Sequence, residues 1–179
     1  GREEAFSQVA FEVVEGGTTN RRDAPLALPP NDHRMVDLKE ATTLSLSMEG
    51  GAMGRMRSAS LGGELKPIGE IVEAGYFWSF NGKVDGINGD PLARLDRGQN
   101  VRLKIVNDTA FPHAMHLHGI HFHEVAENGT LGPLRDTTLL ERGQTREIAF
   151  VADNPGQWLL HCHMLSHAAS GMMTKIVVG

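Results

Sequence analysis

The stretch His161-Cys162-His163-Met164-Leu165-Ser166-His167-Ala168-Ala169-Ser170-Gly171-Met172 constrains this chain more than any other. Within twelve residues it holds the only cysteine, three of the nine histidines and Met172. The preceding Gly156-Gln157-Trp158-Leu159-Leu160 reads as the start of a short buried strand running into His163. Side chains alternate faces along a strand. His161 and His163 therefore point one way and Cys162 the other, so one tripeptide can serve two metal sites on opposite sides of the strand. The chain must then bend to bring His167 and Met172 back beside Cys162. A thiolate, two imidazoles and a distant thioether form the donor set of a blue-copper site. Here that set is one histidine short.

The missing ligand lies upstream, in Phe111-Pro112-His113-Ala114-Met115-His116-Leu117-His118-Gly119. The parity argument repeats: His116 and His118 share a face, and His113 has the opposite parity. His113 is assigned to the Cys162 copper, and His116 and His118 join His161 and His163. The chain thus carries one complete site (His113, Cys162, His167, Met172) and one set of four imidazoles on the far side.

These two segments resemble the last two copper-binding motifs of multicopper oxidases, H-P-x-H-x-H-G and H-C-H-x-x-x-H-x-x-x-x-M. The resemblance covers residues 76–179, including Phe77-Trp78-Ser79-Phe80-Asn81-Gly82 and Arg135-Asp136-Thr137, and is closest to the bacterial laccase and copper-efflux-oxidase branch. Ala114 stands where the motif has proline, and Pro112 precedes the histidine instead. The family's first two motifs, the H-x-H-G and H-x-H of its N-terminal domain, are absent from this chain.

The resemblance implies an all-β, Greek-key cupredoxin-like sandwich with short helical turns, the C-terminal type 1 copper domain of such an oxidase. It implies that Cys162 and its neighbours His161 and His163 are the catalytic connection from the type 1 copper to a type 2/type 3 cluster that reduces dioxygen to water. His116, His118, His161 and His163 would supply half of that cluster's eight imidazoles. Family spacing selects Met172 over Met173 as the axial residue. The implied partners are a small-molecule or cuprous-ion electron donor, dioxygen, and an N-terminal cupredoxin domain of the same enzyme or another chain. A homo-oligomer meeting face to face through the imidazole patch is a further arrangement open to it. The implied location is periplasmic or secreted; the start, Gly1-Arg2-Glu3-Glu4, does not read as a signal peptide. The reducing substrate is not legible.

At 179 residues with a net charge of −5, the chain suits one domain with an arm and has no basic footprint for nucleic acid. No run reaches the ~20 apolar residues of a membrane span. One cysteine allows no internal disulfide. Twenty-one glycines and eight prolines suit many turns.

Along the chain, Ala5–Val14 alternates and reads as a strand, and Gly16–Pro30 as a linker. Residues 1–30 are expected to be an N-terminal arm or interdomain linker, and 31–179 the cupredoxin domain. Further strands are expected at Thr42–Met48, Tyr76–Phe80, Val101–Val106, Ala114–Val125, Arg146–Ala152, Gly156–His163 and Met173–Val178, with a helical turn at Leu165–Ala169. Six to eight strands at short spacing indicate an antiparallel sandwich.

Residues Glu49–Gly63 read as a loop. With Met48, it resembles the methionine-rich inserts of copper-efflux oxidases through Met53 and Met56, although loop methionines are more commonly only loop. His33 reads as a solvated residue of the arm. His121 and His123 read as ordinary strand residues, opposite in parity to His116 and His118. Asp108 is equally a residue orienting His113 or an ordinary turn residue, and no mechanism attaches to Asp136. Two other copper proteins stay in view: an electron carrier, which has no use for imidazoles on both sides of its cysteine, and a nitrite-reductase-like enzyme, which needs only one. A folded but catalytically incomplete fragment is the fourth reading.

Overall fold

The structure is a computed structural model that describes residues 9–12, 14–16, 24 and 26–179. The chain divides into two units, residues 1–32 and 33–179. The described residues of the first are exposed and form no helix or strand. Of the expected strand Ala5–Val14, residues 9–12 and Val14 are irregular, since among the described residues no ladder partner is offered to them; the others lie outside the described residues.

The second unit has thirteen strands among its described residues: β1 (Thr42–Gly50), β2 (Ser58–Leu61), β3 (Glu64–Pro67), β4 (Trp78–Phe80), β5 (Ala93–Leu95), β6 (Gln99–Thr109), β7 (His113–Leu117), β8 (Phe122–Val125), β9 (Leu131–Arg135), β10 (Thr137–Leu140), β11 (Thr145–Ala152), β12 (Gly156–Cys162) and β13 (Met173–Val178). Two short helices, α1 (Ile68–Glu73) and α2 (Leu165–Ala169), and a 3₁₀ turn at Gly86–Asn88 complete it. One sheet runs β4-β1-β6-β11-β8-β9, the other β10-β7-β12-β13-β5, and β2-β3 is a separate hairpin. Only the β1–β6 and β5–β13 pairs are parallel. This is an all-β, cupredoxin-like sandwich.

Alternation places the core between the sheets. On β6, Val101, Leu103 and Ile105 are buried while Lys104 is exposed; on β1, Leu46 and Met48 face the same interior. β11 departs from alternation: Ile148 to Ala152 are all buried. Its second face is covered by Val36 and Leu38, which pack with Ala149 and Val151. The expected turn at Asn81-Gly82 is a two-residue hairpin, both residues having positive φ (49° and 70°), closed by reciprocal bonds between Phe80 and Lys83. That backbone is the one Asn-Gly favours.

Three expectations change. The strand count is thirteen rather than six to eight, because short pieces such as β5, β9 and β10 lack an alternating run long enough to recognise. The single strand Ala114–Val125 is two, β7 and β8, in different sheets. Between them Gly119 has φ +66°, and a Cβ there would lie 2.1 Å from the Trp158 ring; the chain turns against that indole and crosses the sandwich. The Glu49–Gly63 loop contains the end of β1 and all of β2. Its methionines do not converge: Met48 is in the main core, Met56 packs with Ala59, Ile71 and Val84, and Met53 is 80% exposed. Burial in two separate clusters leaves no shared thioether site.

Candidate metal centre

Three strands and one helix assemble the site. β12 lies between β7 and β13, with His161 opposite His116 and Cys162 opposite Met115. His113 sits two residues along β7 from Met115 on the same face, the diagonal neighbour of Cys162. After His163 the chain turns into α2, which returns His167. Gly171 then passes so close to Trp78 that a Cβ would lie 1.9 Å from the Trp78 carbonyl oxygen. The same segment is tied down from outside, because Phe77 and Trp78 both donate backbone N–H to Ser170 O. Cys162 N–H donates to Met172 O, placing Met172 opposite the cysteine.

The predicted groups separate as parity requires. Cys162 Sγ is 3.7 Å from His113 Nδ1 and 3.8 Å from His167 Nδ1, and the two nitrogens are 3.3 Å apart. Among the described residues these three form the one such cluster of metal-ligating atoms. Metal bonds of roughly 2.0–2.3 Å at trigonal angles put their donors about 3.5–3.8 Å apart, so the spacing suits one ion. Met172 is fully buried in the same core cluster as Cys162 and follows the inward parity of Thr174 and Ile176; Met173 follows the outward parity and is half-buried.

Burial sets the electrostatics. It pushes the Cys162 thiol up, with the Met164 and Ala114 backbone N–H groups acting the other way. It lowers His167, and it lowers His113 to about 4, His167 adding to the effect there. Both imidazoles are thus neutral near pH 7, the form that ligates.

On the opposite face four imidazoles converge. The His116 ring centroid is 4.7 Å from that of His118, 5.6 Å from His161 and 5.5 Å from His163. His118 Nε2 and His161 Nε2 are 2.8 Å apart. His161 Nδ1 lies 2.8 Å from Cys162 O, and His116 Nδ1 is 3.0 Å from both Asp136 O and Thr137 Oγ1. An N–H donated to a carbonyl at Nδ1 leaves Nε2 bare for a metal. Burial lowers His118, and His116, His161 and His163 lower it further. The place of Asp136, opaque in the sequence, is visible: its backbone carbonyl lies against His116 Nδ1, and its side chain accepts the Thr137 hydroxyl.

Residues outside the two ligand sets complete the surroundings. The Trp78 ring stands 5.0 Å from His113 and 4.7 Å from His167, walling off the cysteine side. Asp108 is exposed; its neighbour Thr109, whose hydroxyl donates to Asn107 Oδ1, is the one that reaches His113. The signal was available: β6 continues its inward parity through Asn107 and Thr109, and polar residues at core positions announce a bonded network. His121 is exposed, and His123 is buried with Nδ1 2.7 Å from Gly132 O. Their parity relation to His116 does not carry across the break at Gly119. His33 is exposed, but its ring lies 5.4 Å from that of His123.

A cupredoxin-like sandwich with a buried Cys/His/His cluster defines a copper protein, and comparison places it more narrowly. The multicopper oxidase family model matches residues 65–179. This chain belongs to the multicopper oxidase family. It is 36% identical over 103 residues to the multicopper oxidase MmcO of Mycobacterium tuberculosis, covering 58% of this chain and 20% of that protein. It is 38% identical over 103 residues to a copper resistance protein A homolog of Pseudomonas syringae pv. tomato, covering 58% of this chain and 17% of that one. The chain thus spans about a fifth of the length of these relatives. Among solved structures, a multi-copper oxidase from Pseudomonas thermotolerans is similar at TM-score 0.66 and 29% identity, over 88% of this chain and 34% of that one. A protein from a marine microbial metagenome matches at 0.60 and 39%, over 90% and 32%. Copper is the cofactor of this family, and a soft thiolate with two imidazoles suits it.

No helix among the described residues is long and apolar enough to cross a membrane.

Proposed function

We propose that this chain is the electron-accepting domain of a multicopper oxidase, taking electrons singly from a reducing substrate and delivering them towards a site where dioxygen becomes water. The observation that carries this is the placement of Cys162 Sγ within 3.7–3.8 Å of His113 and His167 while its neighbours His161 and His163 stand among imidazoles on the other face. His113, Cys162 and His167 would hold the type 1 copper, with Met172 beside them as a weak fourth donor. Copper bound there supplies one-electron redox chemistry. The chain's own contribution is to hold both histidines neutral, exclude water with Trp78, and surrender one proton from the thiol. Cys162 joins the two faces by a few covalent bonds, shortened by the His161 contact to the Cys162 carbonyl.

His116, His118, His161 and His163 form half of a type 2/type 3 site. Its other half comes from an N-terminal cupredoxin domain, on the same polypeptide or another chain, or a second copy of this one. Residues 1–30 lead in from such a domain, residues 31–179 are the cupredoxin domain, and the protein works in the periplasm or outside the cell.

The test is spectroscopic. Copper(II) added to the chain should give an intense blue thiolate-to-copper band that Cys162→Ser abolishes. A strong band surviving in that variant overturns the assignment. The chain alone should consume no dioxygen, and sustained uptake by it would refute the half-site.

A further inference from the structure

The ring of His113 has a second nitrogen, turned away from the cysteine, and a buried polar chain holds it. His113 Nε2 lies 2.8 Å from Thr109 Oγ1, which lies 2.7 Å from Asn107 Oδ1. Asn107 Oδ1 also accepts the Thr109 backbone N–H at 3.1 Å. Asn107 Nδ2 is 2.8 Å from Phe111 O, 3.0 Å from Glu141 O and 3.3 Å from Leu140 O. Asn107 and His113 are completely buried and Thr109 is 6% exposed.

The polarity of this chain can be worked out from one end to the other. Carbonyl oxygens only accept, so the atom facing three of them is the amide nitrogen, and the amide oxygen must face Thr109. The Thr109 hydroxyl has a single proton and two acceptors in reach, Asn107 Oδ1 and, at 3.1 Å, Phe111 O. Turning that proton to His113 would leave two buried oxygens 2.7 Å apart, lone pair against lone pair. The hydroxyl therefore accepts from His113, and Nε2 carries the ring's proton. Nδ1 is then bare, and it is the nitrogen that faces Cys162 and His167.

We propose that Asn107 and Thr109 are positioning residues for the metal: they clamp the His113 ring and lock it in the Nε2–H tautomer, so that Nδ1 is free before any metal arrives. This rests on reading His113 as a copper ligand. The N–H donated to Thr109 also makes the imidazole a stronger donor, the usual effect of an outer hydrogen bond on a metal-bound histidine. The Asn107 side chain divides its work. Nδ2 joins β6 to the end of β10, a structural tie, whereas Oδ1 has only Thr109 to serve. Changing Thr109 thus probes positioning while leaving the Asn107 Nδ2 ties in place; of the backbone bonds to the hydroxyl it removes the one from Phe111 N–H at 3.2 Å, which Thr109→Ser retains.

The experiment uses the full chain, metal-free and copper-loaded. Nitrogen-15 NMR of the metal-free chain should show His113 protonated at Nε2 and bare at Nδ1. Thr109→Ser should keep that pattern. Thr109→Val, similar in shape but without an acceptor, should lose the single tautomer, and copper retention against a competing chelator should fall about 10–100-fold, the range for lost outer-shell partners. Should Thr109→Val not fold, Thr109→Ala takes its place. A wild-type His113 protonated at Nδ1 overturns the inference whatever the variants do, as does a valine variant with wild-type tautomer and copper affinity. Failure of the copper reading looks different: the chain would lack a blue band, while the metal-free tautomer would still decide the role of Thr109.

Discussion

The two faces of the β7–β12 ladder carry the same kind of side chain under opposite conditions. On one, His113, Cys162 and Met172 are fully buried and His167 is half-buried, Trp78 closes over the rings, and Thr109, bonded to Asn107, contacts His113 from behind. On the other, His163 is exposed, His116 and His118 are half-buried, and His161 alone is buried. Strand alternation delivers ligands to both sides impartially; what differs is the layer in front of each. The inner set is enclosed by the chain's own second sheet and by α2. The outer set opens to solvent at His163, and its rings are steered by backbone carbonyls of Asp136 and Cys162. On the proposed function, enclosure would make the inner site complete within one chain, and exposure would leave the outer set for another surface to finish.

The contrast can be broken in four ways. The largest effect is all-or-none: His113→Ala should abolish the blue band, whereas His116→Ala should leave it in place. Equal loss in both, by absorption spectroscopy, would mean that the faces are not independent.

Next is Gly119→Ala, which forces a side chain into positive φ and against Trp158. The combined backbone strain and overpacking should cost about 2–4 kcal/mol. Thermal melting would register it, and the blue band should survive in the folded fraction because the inner site does not include Gly119.

Third is pH. His113 is held at about 4, below its ordinary 6.5, by burial first and His167 second. Between those values the unfolded chain binds a proton that the folded chain refuses, so the metal-free protein should lose stability as pH falls from about 6.5 and level off below about 4. For this one group the loss is on the order of 3 kcal/mol at most. His167 and His118 shift in the same direction and add to it. Melting curves of His113→Leu should fall less steeply over that range; an unchanged slope would remove His113 from the account. Smallest is Met172→Leu, which should keep the colour and raise the reduction potential modestly, because a weak donor favours Cu(II). Met173→Leu should leave the potential alone, and a shift there instead would exchange the two methionines.

The placement of the inner cluster was legible because its logic is local: one strand, a two-residue period and a short return through α2 bring Cys162 and His167 together, whereas Met172 was chosen over Met173 on the family resemblance. His113 followed from the same parity on β7. The break after His118 was not legible, since it depends on Trp158, some forty positions away, occupying the space a side chain at 119 would need. Asp108 drew notice because a carboxylate beside a ligand is conspicuous. Carrying the β6 alternation two pairs further would have pointed to Asn107 and Thr109 instead. Helix α1 has no side-chain cap and follows Pro67, so neither a capping residue nor a long apolar stripe announces it. The methionines of the loop could be sorted only by packing, which composition does not encode.

The register of β12 has a consequence for how such a chain can change over time. A strand tolerates many substitutions but no shift by one, because a single inserted residue turns every later side chain to the opposite face. Between Leu160 and Cys162, an insertion would send a histidine into the core and the thiol out among the imidazoles. The two sites are therefore inherited as one unit of spacing. Either can drift in chemistry by substitution, but neither can move along the strand without carrying the other with it.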